Sequence, residues 1–195
     1  MLNPERPKCN PALCVFCGSS PGKNPKFAQE ARALGRLLAG HGYALVFGGG
    51  GLGLMGEVAR AARDGGANIH GILPDFLRHL EPPLAHGERV TIAPDLFARK
   101  AQMMNEADAF VILPGGMGTL DEFGDVVTGA QLDVHKKPIV LVNVDGFFDP
   151  LLALIDHLVQ QQFAQPAIKE LFSVVANAEE AITLLDNRLN RAHAR

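Results

Sequence analysis

Short, mostly apolar runs, each breaking into a turn and then into a helical pattern, recur along the whole chain. Ala12–Cys17 runs into Gly18-Ser19-Ser20-Pro21-Gly22, and Tyr43–Phe47 into the cluster Gly48–Gly51. Ala67–Leu73, Arg89–Ala93, Asp108–Leu113, Pro138–Val142 and Ser173–Ala176 repeat the form. Between them the spacing predicts helices over 25–39, 53–64, 95–106, 119–132, 149–161 and 177–191, with Asp95 as an N-cap. Strands that are apolar on both faces, alternating with helices, pair in parallel and are covered on both sides. The expectation is an α/β fold: a doubly wound, Rossmann-like parallel sheet with helices on both faces. It forms a single domain over 1–195, frayed at 1–10 and 192–195.

Composition narrows the partners. With 47% hydrophobic residues over 195 positions, the chain can bury one sizeable core without a disulfide or a metal staple. A net charge of −3 argues against a nucleic-acid polymer as partner, since gripping that backbone takes clustered Lys and Arg. No stretch approaches the roughly 20 apolar residues of a membrane helix, and the first residues do not read as a secretion signal. The cysteines Cys9, Cys14 and Cys17 are an odd count at one end, which suits the cytoplasm. Cys14 and Cys17, three apart on a strand, point to opposite faces and read as core residues rather than a metal pair. No metal site and no cofactor is expected.

In such a sheet the ligand sits at the carboxyl ends of the strands, near a topological switch point. Both glycine clusters lie there, as does the turn holding Ser19. A glycine turn between strand and helix lets backbone approach a ligand, and it aims unpaired N–H groups at a phosphate. Gly49 and Gly50 have this form after the second strand, and Pro114-Gly115-Gly116-Met117-Gly118-Thr119 after the fifth. Gly51–Gly56 satisfies GxGxxG but follows the wrong strand for a dinucleotide fingerprint. Gly18–Gly22 satisfies GxSxG, yet no upstream strand remains to supply an oxyanion loop.

Two groups of charged residues stand in awkward places. Thr119-Leu120-Asp121-Glu122 reads as a capping box, with Thr119 at the N-cap and Glu122 three residues on. The same carboxylate would also lie within a few ångströms of whatever the glycine turn holds. In the helix after the fourth strand, Leu96, Phe97, Met103, Met104 and Ala107 form an apolar arc, with Lys100 inside it and Arg99 at its border. Both cations either snorkel to water or serve a phosphate or a developing negative charge.

Taken together, Gly48-Gly49-Gly50 through Gly53-Leu54-Met55-Gly56, Arg99-Lys100 and Pro114-Gly115-Gly116-Met117-Gly118-Thr119-Leu120-Asp121-Glu122 resemble the Lonely Guy family. These are the cytokinin riboside 5′-monophosphate phosphoribohydrolases, and the resemblance runs from Cys14 to about Leu152. It implies hydrolysis of the N-glycosidic bond of a nucleoside 5′-monophosphate by a homodimer with the site near the subunit interface. It also implies substrate-binding positions at Glu81, Lys100, Gly116, Met117, Gly118, Thr119, Leu120, Asp121 and Thr128, with Arg99 and Glu122 as the catalytic pair. A non-hydrolytic carrier of a nucleotide or pterin cofactor on the same fold is the alternative. Gly129 stands where plant-type relatives have Trp, which leaves open whether AMP or an N6-modified nucleotide is preferred. Some relatives carry a lysine-decarboxylase label, but no lysine here sits in a Schiff-base context.

Overall fold

The structure, a computed structural model, describes residues 10–79 and 89–193. The apolar runs form β1 (Ala12–Phe16), β2 (Ala44–Phe47), β3 (Ile69–Pro74), β4 (Arg89–Ala93), β5 (Ala109–Ile112), β6 (Ile139–Val142) and β7 (Ser173–Val175). The helices between them are α1 (Pro25–Gly40), α2 (Gly53–Asp64), α3 (Leu96–Glu106), α4 (Met117–Gln131), α5 (Asp149–Gln160) and α6 (Ala178–His193). All strands pair in parallel in the order β4-β3-β2-β1-β5-β6-β7. The expected doubly wound α/β architecture is therefore what the chain adopts.

The alternation of side chains along each strand feeds two cores. Leu13 and Val15 of β1 and Val111 of β5 face α1, α2 and α6. Cys14 and Phe16 of β1, with Phe110 and Ile112 of β5, face α3, α4 and α5. Cys14 and Cys17 thus lie buried and free on opposite faces. In the first layer α1 and α2 approach each other closely. At Gly35 a β-carbon would fall 2.8 Å from Ala61 Cβ and 2.9 Å from Ala62 N.

Two local expectations change. Helix α4 begins at Met117 with Gly116 as its N-cap, so Thr119 lies inside the first turn and the capping box does not form. The glycines before Thr119 leave the backbone free to enter the helix three residues early. Of the proposed apolar arc Met103 and, at the end of α3, Ala107 are buried, while Leu96 is 43% and Phe97 80% exposed. The helix N-terminus overhangs the sheet, so its apolar residues reach past the core. Asp95 does cap α3, accepting a hydrogen bond from Ala98 N at 2.7 Å.

Gly35→Ala should lower unfolding free energy by about 1–3 kcal/mol, because α1 and α2 must part to admit the methyl group. Urea unfolding checks this, and an unchanged midpoint would mean the helices yield without cost.

Candidate active site

The strand order reverses direction between β1 and β5, and the turns leaving these two strands meet at the carboxyl edge of the sheet. Gly18 N donates to Pro114 O at 3.0 Å, which locks one turn to the other. Gly115 permits that contact, since a β-carbon there would sit 2.8 Å from Gly18 N and press into Thr119. Gly116 and Gly118 differ: a β-carbon on either would meet nothing within 4 Å. No neighbour among the described residues demands glycine at these positions, so their bareness suits something arriving from outside.

The first intrahelical bond of α4 runs from Leu120 N to Gly116 O at 3.1 Å. The N–H groups of Met117, Gly118 and Thr119 precede it and face the opening with the positive end of the helix. Beside them a cavity of about 220 Å³ lies between the two turns, lined by Ser19, Ser20, Gly115 and Gly116 and walled by Phe27 and Phe147. This is a geometry for an anion.

The other glycine cluster has a different use. Leu54 N and Met55 N both donate to Gly18 O, at 3.0 and 3.3 Å, so a backbone carbonyl already occupies the N-terminus of α2. Gly53, at φ +54°, packs directly on the Ser19 carbonyl. The GxGxxG segment is a packing device, with no room for a pyrophosphate. Gly49 adopts φ +79° and, with Gly50, is buried behind β3. At Gly48 a β-carbon would strike the Arg99 guanidinium and lie 2.8 Å from Met55 Sδ. The bare backbone at Gly48 makes the slot in which Arg99 lies.

Arg99 and Glu122 come together in that slot. The Arg99 Nη2 to Glu122 Oε1 distance is 3.6 Å, with the side chains 12% and 9% exposed. This ion pair is too long for a hydrogen bond. Arg99 Nε donates to Ile72 O of β3 at 3.1 Å, which fixes the guanidinium from behind. Burial pushes the Glu122 carboxyl up to about 7, and the nearby Arg99 only partly offsets this. A carboxyl poised there exchanges a proton at neutral pH, as a general base or acid must. Burial, and to a lesser extent the Glu122 charge, push the thiols of Cys14 on β1 and Cys17 just after it well up.

Lys100, the next residue on α3, is held by the neighbours of Glu122 on α4. Its Nζ lies 2.7 Å from Asp121 Oδ2 and 2.7 Å from Asp125 Oδ2. Burial acts to lower the Lys100 pKa, but the two carboxylates outweigh it and raise the net value.

The other expected positions divide. Thr119 is buried, Leu120 half-buried, and Met117 79% exposed at the mouth. Thr128 lies exposed about 10 Å along α4 beyond Asp121, so the fold does not bring it to the Arg99–Glu122 pair. Glu81 lies outside the described residues. Gly129 is buried, and a β-carbon there would be 3.1 Å from the His135 ring, which fills the space a larger residue would take.

Sequence reasoning missed Asp125, Gly48 as the Arg99 slot, and the Ile72 carbonyl. The Asp121–Asp125 spacing was a visible i, i+4 signal for a cation. The carbonyl carries no signal in the side-chain pattern at all.

The chain is similar in sequence and in fold to several known proteins. Residues 55–185 match a family profile described as "Possible lysine decarboxylase". A cytokinin riboside 5′-monophosphate phosphoribohydrolase of Arabidopsis thaliana is 42% identical over 174 residues, 89% of this chain and 80% of its own. One of Oryza sativa subsp. japonica is 41% identical over 174 residues, 89% of this chain and 72% of its own. Among solved structures, the molybdenum cofactor binding protein of Rippkaea orientalis superposes with a TM-score of 0.71 at 22% identity, over 94% of this chain and 99% of its own. A molybdenum cofactor carrier protein of Chlamydomonas reinhardtii gives 0.67 at 22% identity, over 93% and 99%. At that identity these two share the fold.

Gly48→Ala should displace Arg99 while leaving the melting temperature within a few degrees. With its counter-charge gone, Glu122 should titrate above its present value of about 7. Carboxyl ¹³C NMR reads this directly, and an unmoved titration would mean Arg99 does not depend on the slot.

Proposed function

The chain belongs to this family, which includes the cytokinin riboside 5′-monophosphate phosphoribohydrolases, and on that premise we propose that it hydrolyses adenine-type nucleoside 5′-monophosphates to free base and ribose 5-phosphate. The observation that carries the reading is the buried Arg99–Glu122 pair beside the open N-terminus of α4. A carrier of the same fold needs the glycine turns but has no use for a desolvated carboxylate against a guanidinium.

In this mechanism the 5′-phosphate takes the N–H groups of Met117, Gly118 and Thr119, and Ser19 with Gly115 and Gly116 lines the adjoining space. The C1′–N bond breaks as positive charge grows on the ribose and electrons move to the base. Glu122 as carboxylate stabilises that charge and takes a proton from the water that attacks C1′, and this proton passes on to the departing base, restoring the carboxylate. Arg99 steadies the departing base or the ribose phosphate as a fixed cation. The reaction needs neither metal nor organic cofactor in this scheme, and the buried, free Cys14 and Cys17 suit a cytoplasmic location.

We also place the working unit as a homodimer. Phe97 and Met117, 80% and 79% exposed, flank the Lys100–Asp121 contact at the mouth. Leu96 and Ile92 extend this apolar rim along α3 and β4. A second copy seated there would cover it and close the site. Sedimentation at micromolar concentration should give twice the chain mass, and Phe97→Asp should give the monomer.

The deciding assay is incubation with AMP and, separately, isopentenyladenosine monophosphate, with free base read by chromatography. Base release abolished by Glu122→Gln establishes the hydrolase, and the rate ratio gives the base preference. Bound nucleotide without release would point to the carrier.

Two further outcomes follow from the raised carboxyl. Turnover that needs ionised Glu122 should fall away on the acid side of about pH 7. Because the folded value lies above the usual 4.5, the unfolded chain ionises first as pH rises. Glu122 therefore costs nothing below that pH, and its penalty grows through the interval to about 3 kcal/mol above pH 7. Glu122→Gln should cut turnover by orders of magnitude yet raise the melting temperature at pH 8. A lowered melting temperature with activity intact would make Glu122 a structural residue.

A further inference from the structure

His70 is buried on β3, two residues before the Ile72 whose carbonyl fixes Arg99. Its Nδ1 lies 2.5 Å from Glu106 Oε2 at the end of α3, and its Nε2 lies 2.8 Å from Thr91 Oγ1 of β4. Arg89, opposite His70 on β4, places Nη2 2.8 Å from the same Nδ1 and 3.3 Å from Glu106 Oε2. Among the described residues these are the charged groups that meet the ring. One nitrogen cannot donate to the carboxylate and accept from the guanidinium at once. With its N–H turned to Glu106, the ring ties α3 to β3 and Arg89 braces the carboxylate. Gln102 Nε2 donates to Glu106 Oε1 at 2.9 Å from one turn back along the helix. Burial acts to raise the Glu106 pKa, but the hydrogen bonds from Gln102 and His70 outweigh it and lower the net value.

Arg99 and Glu106 lie almost two helical turns apart, so they share one face of α3 at a spacing of about 10 Å along its axis. They meet β3 in reverse order, Arg99 at Ile72 and Glu106 at His70, so the helix runs back along the strand and is pinned to it at two heights. Between the pins the packing is thin, since Met103 is the buried residue within the span of α3. A helix seated on so little apolar surface keeps its register on the sheet through its polar ties. We propose that His70 is a positioning residue: through Glu106 it fixes the far end of α3 on β3 and thereby sets where Arg99 meets Glu122. Its effect on turnover rests on the hydrolase reading above; its effect on the ion pair does not.

The test compares His70→Leu, His70→Gln, Glu106→Ala and Gly35→Ala with wild type. His70→Leu removes the tie and leaves an apolar side chain in its place. Lys137 Nζ still donates to Met104 O at 2.6 Å, so α3 stays on the sheet. In this variant kcat should fall about tenfold with KM within twofold. Carboxyl ¹³C titration of Glu122, read without substrate, should move up by about half a unit as Arg99 draws away. His70→Gln is uncharged but can still donate to Glu106, and it should restore both, which separates the tie from any charge on the imidazole. Glu106→Ala removes a negative charge, which by itself would lower the Glu122 value; the lost tie should raise it. Gly35→Ala loosens the layer on the other face of the sheet and should leave the titration where it is. An unmoved Glu122 titration in His70→Leu, a fall in Glu106→Ala, or an equal movement in Gly35→Ala would overturn the proposal, as would His70→Gln no better than His70→Leu. If wild type hydrolysed nothing while the titrations moved as stated, the hydrolase reading alone would sink.

Discussion

Placing a carboxylate and a guanidinium out of water at the centre of the sheet edge is the costliest thing this fold does. Burial of either charge alone is strongly unfavourable, and a 3.6 Å separation recovers only part of the lost hydration. The surroundings supply the remainder. The Ile72 carbonyl takes one Arg99 N–H, Gly48 leaves the slot, and Lys100 pairs with the aspartates beside Glu122 and offsets part of their charge. What survives uncompensated appears as a carboxyl that titrates near neutrality. A site of this kind is stable only because the sheet beneath it is well packed.

The two glycine clusters illustrate how similar sequences acquire opposite uses. The α2 N-terminus is filled by the Gly18 carbonyl, which ties β1's turn to the second helix and makes a rigid floor. Among the described residues nothing plugs the α4 N-terminus, and Gly116 and Gly118 stand clear of their neighbours. A helix end stripped of internal partners keeps its N–H groups and its positive field for a ligand. The first cluster therefore builds the wall, and the second faces what is bound.

Much of the fold was legible because parallel strands buried on both faces leave an unambiguous signature. The runs at Leu13–Phe16, Phe110–Ile112 and Ile139–Val142 could be nothing else, and the helices between them followed from their spacing. The errors fell where local pattern and global position disagree. Thr119-Leu120-Asp121-Glu122 has the letters of a capping box, yet a glycine pair upstream allowed α4 to start at Met117. Leu96 and Phe97 continue the apolar arc of α3, but the helix outruns the sheet there and among the described residues they stay 43% and 80% exposed. Helical projection gives the angle of a residue around its axis, not the depth of what lies opposite.

From the order of residues alone came the α/β class, the parallel sheet, the carboxyl edge as the place of binding, and Arg99, Lys100 and Glu122 as charged residues in awkward places; their pairing was what the family resemblance implied. These depend on periodicity and on the chemistry of single side chains, both of which are local. The tertiary structure decided which glycine turn stays open, what occupies Lys100, and how far Glu122 is withdrawn from water. Each of these turns on a contact between segments distant in the chain: Gly18 with Leu54, Lys100 with Asp121 and Asp125, Arg99 with Ile72. No spacing along one strand or helix encodes such contacts, because they arise only when the sheet order brings those segments side by side.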